Sequence, residues 1–392
     1  MTTTDPRAGK RRSILDWFLL ILAAILFACS LLTVMSAPTS WLWIVAILIT
    51  EWGHYAAIVA ALIAAIAWRR REKITTLLAV AAALLCFLPA LRAATFNRSL
   101  GDKLTSAFGP LQGINGRAHP FDSGDLFFGL PHAAVDVTEH VYAQTDGQTL
   151  KLDLYRARGA TAPEPIVIAV HGGSWKSGNR AQLPALNDYL AGERFAVAAI
   201  DYRHAPQFHS PAAVEDLFHA IDYLKAHAQE LHLDATRIVL IGRSAGGQIA
   251  LSAAYAGREP AIRGVVAFYA PTDLVVGYDN PSRRLVLDSK KVLEDYLGGS
   301  PTQNPAGYAA ASPINFVNAQ TPPTLLIHGQ LDPMVWRKHS ELLAAHLQQA
   351  GRPHFYLQIP WGTHGCDANP SGPSGQLSLY AIDRFLANVL HP

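Results

Sequence analysis

The distribution of apolar residues divides this chain of 392 residues into two parts. Before about residue 91 the sequence is almost entirely apolar apart from a few charged clusters, whereas beyond about residue 121 it has the mixed composition of a globular domain. The pattern predicts a membrane segment over 1–91, a connector rich in glycine and turn formers over 92–131, and a globular domain over 132–392.

Three apolar runs in the first part are candidates for membrane-spanning helices, since a helix needs about 20 apolar residues to cross the hydrocarbon layer. They cover about residues 14–35, 48–68 and 74–91. Glu51 and His54 interrupt the second run. A charge at the bilayer centre costs at least about 2.5 kcal/mol, so we expect this span to begin near Glu51. Trp41, Trp43 and Trp52 would then form an aromatic belt, and a functional pair of Glu51 and His54 inside the membrane is the alternative.

Basic residues flank these runs asymmetrically and predict their orientation. They are Arg7, Lys10, Arg11 and Arg12 before the first run, and Arg69, Arg70, Arg71 and Lys73 between the second and third. Because positive clusters stay in the cytoplasm, we expect a cytoplasmic N-terminus and a globular domain on the outer side. A cleaved signal peptide or lipid attachment at Cys29 is the competing interpretation, but the apolar stretch is longer than a signal peptide requires.

The globular part alternates short apolar runs with helical stretches. A hairpin is expected around Asp146-Gly147, and Pro211–Ala228 has the spacing of an amphipathic helix. The apolar runs lie at residues 166–170, 195–200, 238–241, 264–268, 324–327 and 355–359. Strands that are apolar on both faces predict an α/β fold, with a mostly parallel sheet covered by helices on both sides.

The pentapeptide Gly242-Arg243-Ser244-Ala245-Gly246 lies between an apolar run and a stretch of small residues typical of a helix. A serine hydroxyl becomes a useful nucleophile when a sharp strand-to-helix turn holds it where a base can reach it. The flanking glycines tolerate such a turn. We therefore predict Ser244 as a catalytic nucleophile.

Two glycines follow the run at 166–170, in the sequence His171-Gly172-Gly173-Ser174-Trp175. The backbone N–H groups of Gly172 and Gly173, together with that of Ala245, are expected to form an oxyanion hole. One such donor stabilises a transition state by about 2.7 to 4 kcal/mol.

The base and the acid are expected just beyond the ends of two later strands. Asp332 follows the run at 324–327 and His364 follows the run at 355–359. The carboxyl ends of parallel strands meet at one edge of a sheet, so Ser244, Asp332 and His364 can converge there as a triad. His171, His204 and His328 also lie near strand ends, and Asp367 is an alternative acid.

On these motifs the chain resembles the α/β-hydrolase superfamily, and within it the hormone-sensitive-lipase-like and carbohydrate-esterase-like serine esterases. Supporting segments are Asp201-Tyr202-Arg203, Ala205-Pro206, Pro211-Ala212-Ala213 and Ser244-Ala245-Gly246-Gly247. The resemblance covers about Val135 to the C-terminus. It implies hydrolysis of esters with small or medium acyl groups, with no metal and no cofactor. Ser174 and Arg243 depart from the family pattern and put the branch, and hence the substrate, in doubt.

Charge and composition narrow the partners further. The net charge is +2 and the basic residues of the globular part are scattered, which argues against a nucleic-acid partner. Of the three cysteines only Cys366 lies in that part, so it has no internal disulfide. The expected partners are membrane lipid and a small-molecule, glycan or lipid ester. A serine peptidase or amidase and an inactive interaction module are the alternatives, and the insertion at 275–312 is either a cap over the site or a surface excursion.

Overall fold

The computed structural model describes residues 12–97, 99–110, 116–131 and 133–390. Eight strands form one sheet in the order β1-β2-β4-β3-β5-β6-β7-β8. The strands are β1 (Val135–Thr145), β2 (Gln148–Ala157), β3 (Glu164–Val170), β4 (Ala196–Ile200), β5 (Leu233–Arg243), β6 (Ile262–Phe268), β7 (Thr324–Gly329) and β8 (His354–Ile359). The hairpin β1-β2 and the pair β2-β4 are antiparallel and the remaining pairs are parallel, which confirms the predicted α/β architecture.

Helices cover both faces of this sheet and also form the N-terminal segment. In chain order they are α1 (Ile14–Ser30), α2 (Ser40–Glu51), α3 (Gly53–Arg69), α4 (Lys73–Phe96), α5 (Leu100–Phe108), α6 (Ser123–Phe128), α7 (Ala185–Gly192), α8 (Ala212–Ala226), α9 (Ala245–Tyr255), α10 (Leu274–Asp279), α11 (Ser289–Leu297), α12 (Pro305–Ala311), α13 (Lys338–Gln349) and α14 (Pro373–Leu390). Successive residues of a strand point to opposite faces. Ile166 and Ile168 of β3 thus join the core under α8 and α9, whereas Val167 and Ala169 join the core under α7 and α14.

Two of the helices in the described part of the chain are long and apolar enough to cross a membrane, namely Ile14–Thr33, which includes a final 3₁₀ turn, and Lys73–Phe96. The number becomes three if α2 and α3 form one span, although an 82° bend separates them. The second span was expected over 48–68, but its straight part begins at Gly53. A Cβ atom on Gly53 would lie 2.7 Å from the Cys86 carbonyl oxygen, so this glycine permits close packing of α3 on α4.

Ion pairs place the beginnings of α1 and α4 at the same end of the helical segment. Arg12 Nε donates to Glu72 Oε2 at 3.0 Å, and Arg70 Nε donates to Asp16 Oδ1 at 2.6 Å. Since α1 and α4 start together, α3 must run back between them. Arg7, Lys10 and Arg11 of the first basic cluster lie outside the described residues.

The predicted connector over 92–131 is more ordered than its composition indicates. Helix α4 continues to Phe96 rather than ending at residue 91, and α5 and α6 follow it. Leu100 and Leu104, one turn apart on α5, are buried, and α5 packs on α14. This segment therefore joins the helical segment firmly to the globular domain.

Candidate active site

Ser244 occupies a sharp turn between β5 and α9. Its backbone has φ 54° and ψ −120°, outside the regions that most residues adopt. The turn requires close backbone approach, because a Cβ atom on Gly242 would lie 2.2 Å from the Gly246 carbonyl oxygen. A Cβ atom on Gly246 would lie 2.3 Å from the Val170 carbonyl oxygen. The predicted strand-turn-helix context is present, and the strained turn presents the serine side chain at the carboxyl edge of the sheet.

The structure brings Ser244, His364 and Asp332 together in one chain of hydrogen bonds. The distance from Ser244 Oγ to His364 Nε2 is 3.0 Å, and that from His364 Nδ1 to Asp332 Oδ2 is 2.7 Å. These distances suit a hydroxyl that donates to the imidazole and an imidazole N–H that donates to the carboxylate. His364 and Asp332 are both shielded from solvent.

Asp332 is held from both sides of its carboxylate. Its Oδ1 accepts hydrogen bonds from the backbone N–H groups of Met334 at 2.8 Å and Val335 at 2.9 Å. His328 Nε2 lies 3.2 Å from Oδ2, next to His364. Burial opposes ionisation of this group, but the two histidines outweigh it and hold the pKa of Asp332 well below its usual range. The carboxylate is thus ionised and oriented toward His364.

The predicted oxyanion hole differs from the structure at Gly172. The Gly172 N–H donates to Gln182 Oε1 at 2.7 Å and is therefore occupied. Among the described residues, no acceptor faces the N–H groups of Gly173 and Ala245. Gly173 has φ +125°, and a Cβ atom there would lie 1.9 Å from the Ser177 carbonyl oxygen, so only glycine can hold this loop. Of the three N–H groups expected to form an oxyanion hole, those of Gly173 and Ala245 are therefore still available as candidate donors.

The other candidate histidines have different partners. His171 stacks on Tyr202 with 4.2 Å between ring centroids, and its Nδ1–H donates to the Gly172 carbonyl oxygen at 2.7 Å. Burial lowers the pKa of His171 to about 4. The His204 ring packs against the edge of His171. His171 and His204 therefore support the oxyanion loop, and His328 supports Asp332.

Asp367, the alternative acid, belongs to a buried ion pair behind the base. Its carboxylate pairs with Arg243 and accepts a hydrogen bond from the Tyr269 hydroxyl at 2.5 Å. The Tyr269 ring in turn packs against His364 at 4.4 Å. Arg243, which departs from the family pattern, neutralises this buried acid. The sequence shows no local signal for a pair whose members are 124 residues apart.

A cleft lined by residues of five segments opens above Ser244. The cavity within this cleft is partly open and has a volume of about 60 Å³. The insertion at 275–312 forms one wall through α10, α11 and the turn between them, and thus covers the site. The lining residues from this insertion are Gly277, Asn280, Ser282, Leu287, Ser289, Val292 and Leu293. Cys366, in contrast, is fully buried in the core below the site.

Helix α2 of the N-terminal segment contacts the loop that carries His364, which sequence reasoning did not foresee. Trp43 Nε1–H donates to the His364 carbonyl oxygen at 2.7 Å. Ile47, one turn later, approaches Gly365 so closely that its Cδ1 would lie 3.2 Å from a Cβ atom there. Trp43 was expected in an aromatic belt, but it packs against the site instead. A tryptophan among many apolar residues carries no sign of a partner 321 positions away.

Glu51 continues the same face of α2 into the globular domain. It is fully buried, and its carboxyl group accepts hydrogen bonds from the Ser374 hydroxyl at 2.6 Å and the Ser374 N–H at 3.1 Å. His54 packs against Phe127 and Tyr55. Glu51 and His54 thus have separate partners and do not form the intramembrane pair considered above. Glu51 attaches α2 to the start of α14.

The mostly parallel sheet, the serine turn after β5 and the residues beyond β7 and β8 define the α/β-hydrolase class. Within that class the chain belongs to the BD-FAE family, whose sequence profile matches residues 152–347.

Similar proteins are described as esterases. The chain is 28% identical over 259 residues to a probable carboxylic ester hydrolase, LipM, and 31% identical over 254 residues to the esterase LipC, both of Mycobacterium tuberculosis. These matches cover 62% and 61% of this chain and only 59% and 62% of those proteins. A butyrate-bound esterase from Thermogutta terrifontis is 26% identical with a TM-score of 0.52, over 67% of this chain and 96% of that one.

Proposed function

We propose that this protein is a membrane-anchored carboxylesterase that cleaves carboxylic esters through an acyl-enzyme on Ser244. The observation that carries the proposal is the continuous hydrogen-bonded chain from Ser244 through His364 to Asp332, at 3.0 and 2.7 Å. The similarity to esterases supports the same reaction class.

In the acylation step, His364 Nε2 takes the proton of the Ser244 hydroxyl while Oγ attacks the ester carbonyl carbon. The carbonyl oxygen gains negative charge and is held by the N–H groups of Gly173 and Ala245. Asp332 stabilises the imidazolium that forms, because its carboxylate accepts the hydrogen bond from Nδ1. His364 then gives its proton to the leaving alcohol.

In the deacylation step, His364 takes a proton from water, and the hydroxide attacks the acyl-enzyme carbonyl. Collapse of the second tetrahedral intermediate releases the acid, and the proton returns to Ser244 Oγ. The small cavity favours short acyl groups, and the similar esterase from Thermogutta terrifontis holds butyrate, which has a short acyl chain.

The proposed anchor consists of α1, α3 and α4, with the globular domain on the outer side of the membrane. The contacts Arg12–Glu72 and Arg70–Asp16 support this arrangement, because they gather basic residues at one end of three antiparallel helices. Helix α4 then leads to the opposite side. The 17 residues of α3 span about 25 Å at 1.5 Å per residue, somewhat less than the hydrocarbon thickness.

The reaction is tested with the full-length protein in detergent on 4-nitrophenyl esters of increasing acyl length, together with a fluorophosphonate label. We expect hydrolysis of short esters and labelling of the protein. Ser244→Ala should lose both, with kcat reduced on the order of 10³-fold or more. Ser174→Ala, which changes another serine lining the same cleft, is the control and should keep the label. Hydrolysis by Ser244→Ala at the normal rate would refute the assignment.

A further inference from the structure

Two faces of helix α2 have different surroundings. One face, with Trp43, Ile47 and Glu51, contacts the globular domain. The other carries three large apolar side chains that are mostly exposed, and they repeat at helical spacing: Trp41 (64%), Ile44 (54%) and Leu48 (54%). Such a helix suits the boundary between a membrane and water. The continuity of α2 with α1 on one side and α3 on the other identifies the lipid bilayer as the partner of this face.

The end of the first candidate span lies beside the catalytic cleft. A second cavity of about 370 Å³ is lined on one side by Ser36 and Ala37, which follow that span directly. On its other side it is lined by the turn between α10 and α11 and by the segment from Asp332 to Met334. Four residues line both this cavity and the catalytic cleft, namely Asn280, Ser282, Met334 and Trp336. The two spaces therefore adjoin, and the outer one lies between the membrane segment and the triad.

Four exposed apolar side chains lie on, or within a few residues of, the segments that line the outer cavity, and we call them the apolar rim. Its members are Met35 (57% exposed), Trp41, Leu285 (73%) and Trp336 (48%). A backbone hydrogen bond of 2.9 Å from the Ser40 N–H to the Leu285 carbonyl oxygen connects the two sides of the rim. Large apolar groups clustered in this way on a protein surface mark a contact with another apolar phase.

Three attachments hold the rim at a fixed place relative to the triad. They are the Ser40–Leu285 hydrogen bond, the Trp43–His364 hydrogen bond and the Glu51–Ser374 contacts. The first ties α2 to the wall of the cleft, the second to the base and the third to α14. The opening of the site is therefore held at a fixed position relative to α2.

We propose that the substrate is an amphiphilic ester residing in the outer leaflet, which enters the catalytic cleft across the apolar rim. The proposal rests on the esterase function proposed above and adds its substrate class. The apolar tail would remain in the bilayer against Leu285 and Trp41, while the ester group passes through the outer cavity to Ser244. The small inner cavity would receive the acyl group that is removed.

The test compares two butyrate esters with the full-length protein reconstituted in phosphatidylcholine vesicles. One is the butyrate of 4-methylumbelliferone, and the other is the butyrate of the same coumarin carrying a hexadecyl chain. Leu285→Asp removes the most exposed side chain of the rim, and Val137→Asp, on the distant edge strand β1, is the matched control. Both replace an exposed apolar side chain with a carboxylate.

We expect the wild-type chain to prefer the hexadecyl ester. Because burying a leucine side chain in an apolar phase is favourable, Leu285→Asp should lower the rate on this ester about tenfold. Val137→Asp should not, and neither change should affect the soluble ester. Equal effects of the two variants, or equal rates of the wild type on both esters, would overturn the membrane route while leaving the esterase intact. Failure of the wild type on both esters would instead overturn the esterase function.

Discussion

The nucleophile and the base of the proposed triad are held by different parts of the chain. The turn that carries Ser244 is supported within the globular domain, where its backbone N–H donates to the Phe268 carbonyl oxygen at 2.9 Å and Gly246 packs on β3. The loop that carries His364 is supported in part by α2 of the N-terminal segment, through Trp43, while Glu51 binds the start of α14, which follows this loop. The N-terminal helical segment therefore forms part of the frame of the candidate active site.

The Ser244 turn and the His364 loop need different kinds of support. The serine turn is a strained backbone conformation, so it needs glycines and close packing on the sheet. The His364 loop needs the imidazole to lie at hydrogen-bonding distance from two groups on other elements. Asp332 links the Ser244 turn to the His364 loop, because its carboxylate orients the His364 ring that reaches Ser244.

The largest effect on kcat is expected from Asp332→Asn, which removes the carboxylate that orients His364 toward Ser244. The amide leaves the shape of the site intact but no longer stabilises the imidazolium or the required tautomer, so kcat should fall by about 10⁴. Steady-state kinetics on a short nitrophenyl ester measures the loss. Asp222→Asn, an exposed acid on α8, is the control and should retain full activity. A loss below about tenfold would mean that another group orients His364.

The strands and the Ser244 turn could be predicted because the sequence signals for them are local. Apolar runs indicated β3, β5, β7 and β8, and the rule that parallel strands end at one edge brought Ser244, Asp332 and His364 together. The spacing of Leu100 and Leu104 could also have indicated α5, but the surrounding glycines and turn formers hid it.

The contacts that support the His364 loop were not predictable, because each of them joins residues that are distant in sequence. Trp43 with His364, Glu51 with Ser374 and Arg243 with Asp367 each depend on how whole elements pack. The occupation of the Gly172 N–H by Gln182 is of the same kind, because nothing in a Gly-Gly turn indicates which N–H group a later side chain will bind.

A smaller effect is expected on the stability of the folded protein, through His171 next to the Ser244 turn. His171, whose carbonyl oxygen approaches Gly246, is buried, and burial lowers its pKa to about 4, against about 6.5 in an unfolded chain. Above about pH 6.5 neither state binds the proton. As the pH falls from about 6.5 toward 4, the unfolded chain binds a proton that the folded chain does not, so this histidine contributes a loss of stability.

Between pH 7.5 and pH 5 the loss should be about 2 kcal/mol for His171 alone. The unfolding of the full-length protein in detergent at the two pH values measures it. His171→Gln should reduce the difference in unfolding free energy between the two pH values, whatever its effect on absolute stability. His219→Gln, at an exposed position on α8, should not. If the difference in unfolding free energy between the two pH values is the same in His171→Gln as in the wild type, then His171 is protonated in the folded protein at pH 5.

The smallest effect is expected from a change in the support of the His364 loop. Trp43→Phe keeps an aromatic ring in contact with the His364 loop but removes the N–H that donates to the His364 carbonyl oxygen. A single hydrogen bond contributes about 1 kcal/mol, so we expect kcat to fall about fivefold. KM should change little, because Trp43 does not line the cleft. Trp68→Phe removes an exposed indole N–H from α3, away from the cleft and the apolar rim, and should leave kcat unchanged. If the two variants behave alike, or if Trp43→Phe changes KM rather than kcat, then α2 only attaches the domain to the membrane and does not position the base.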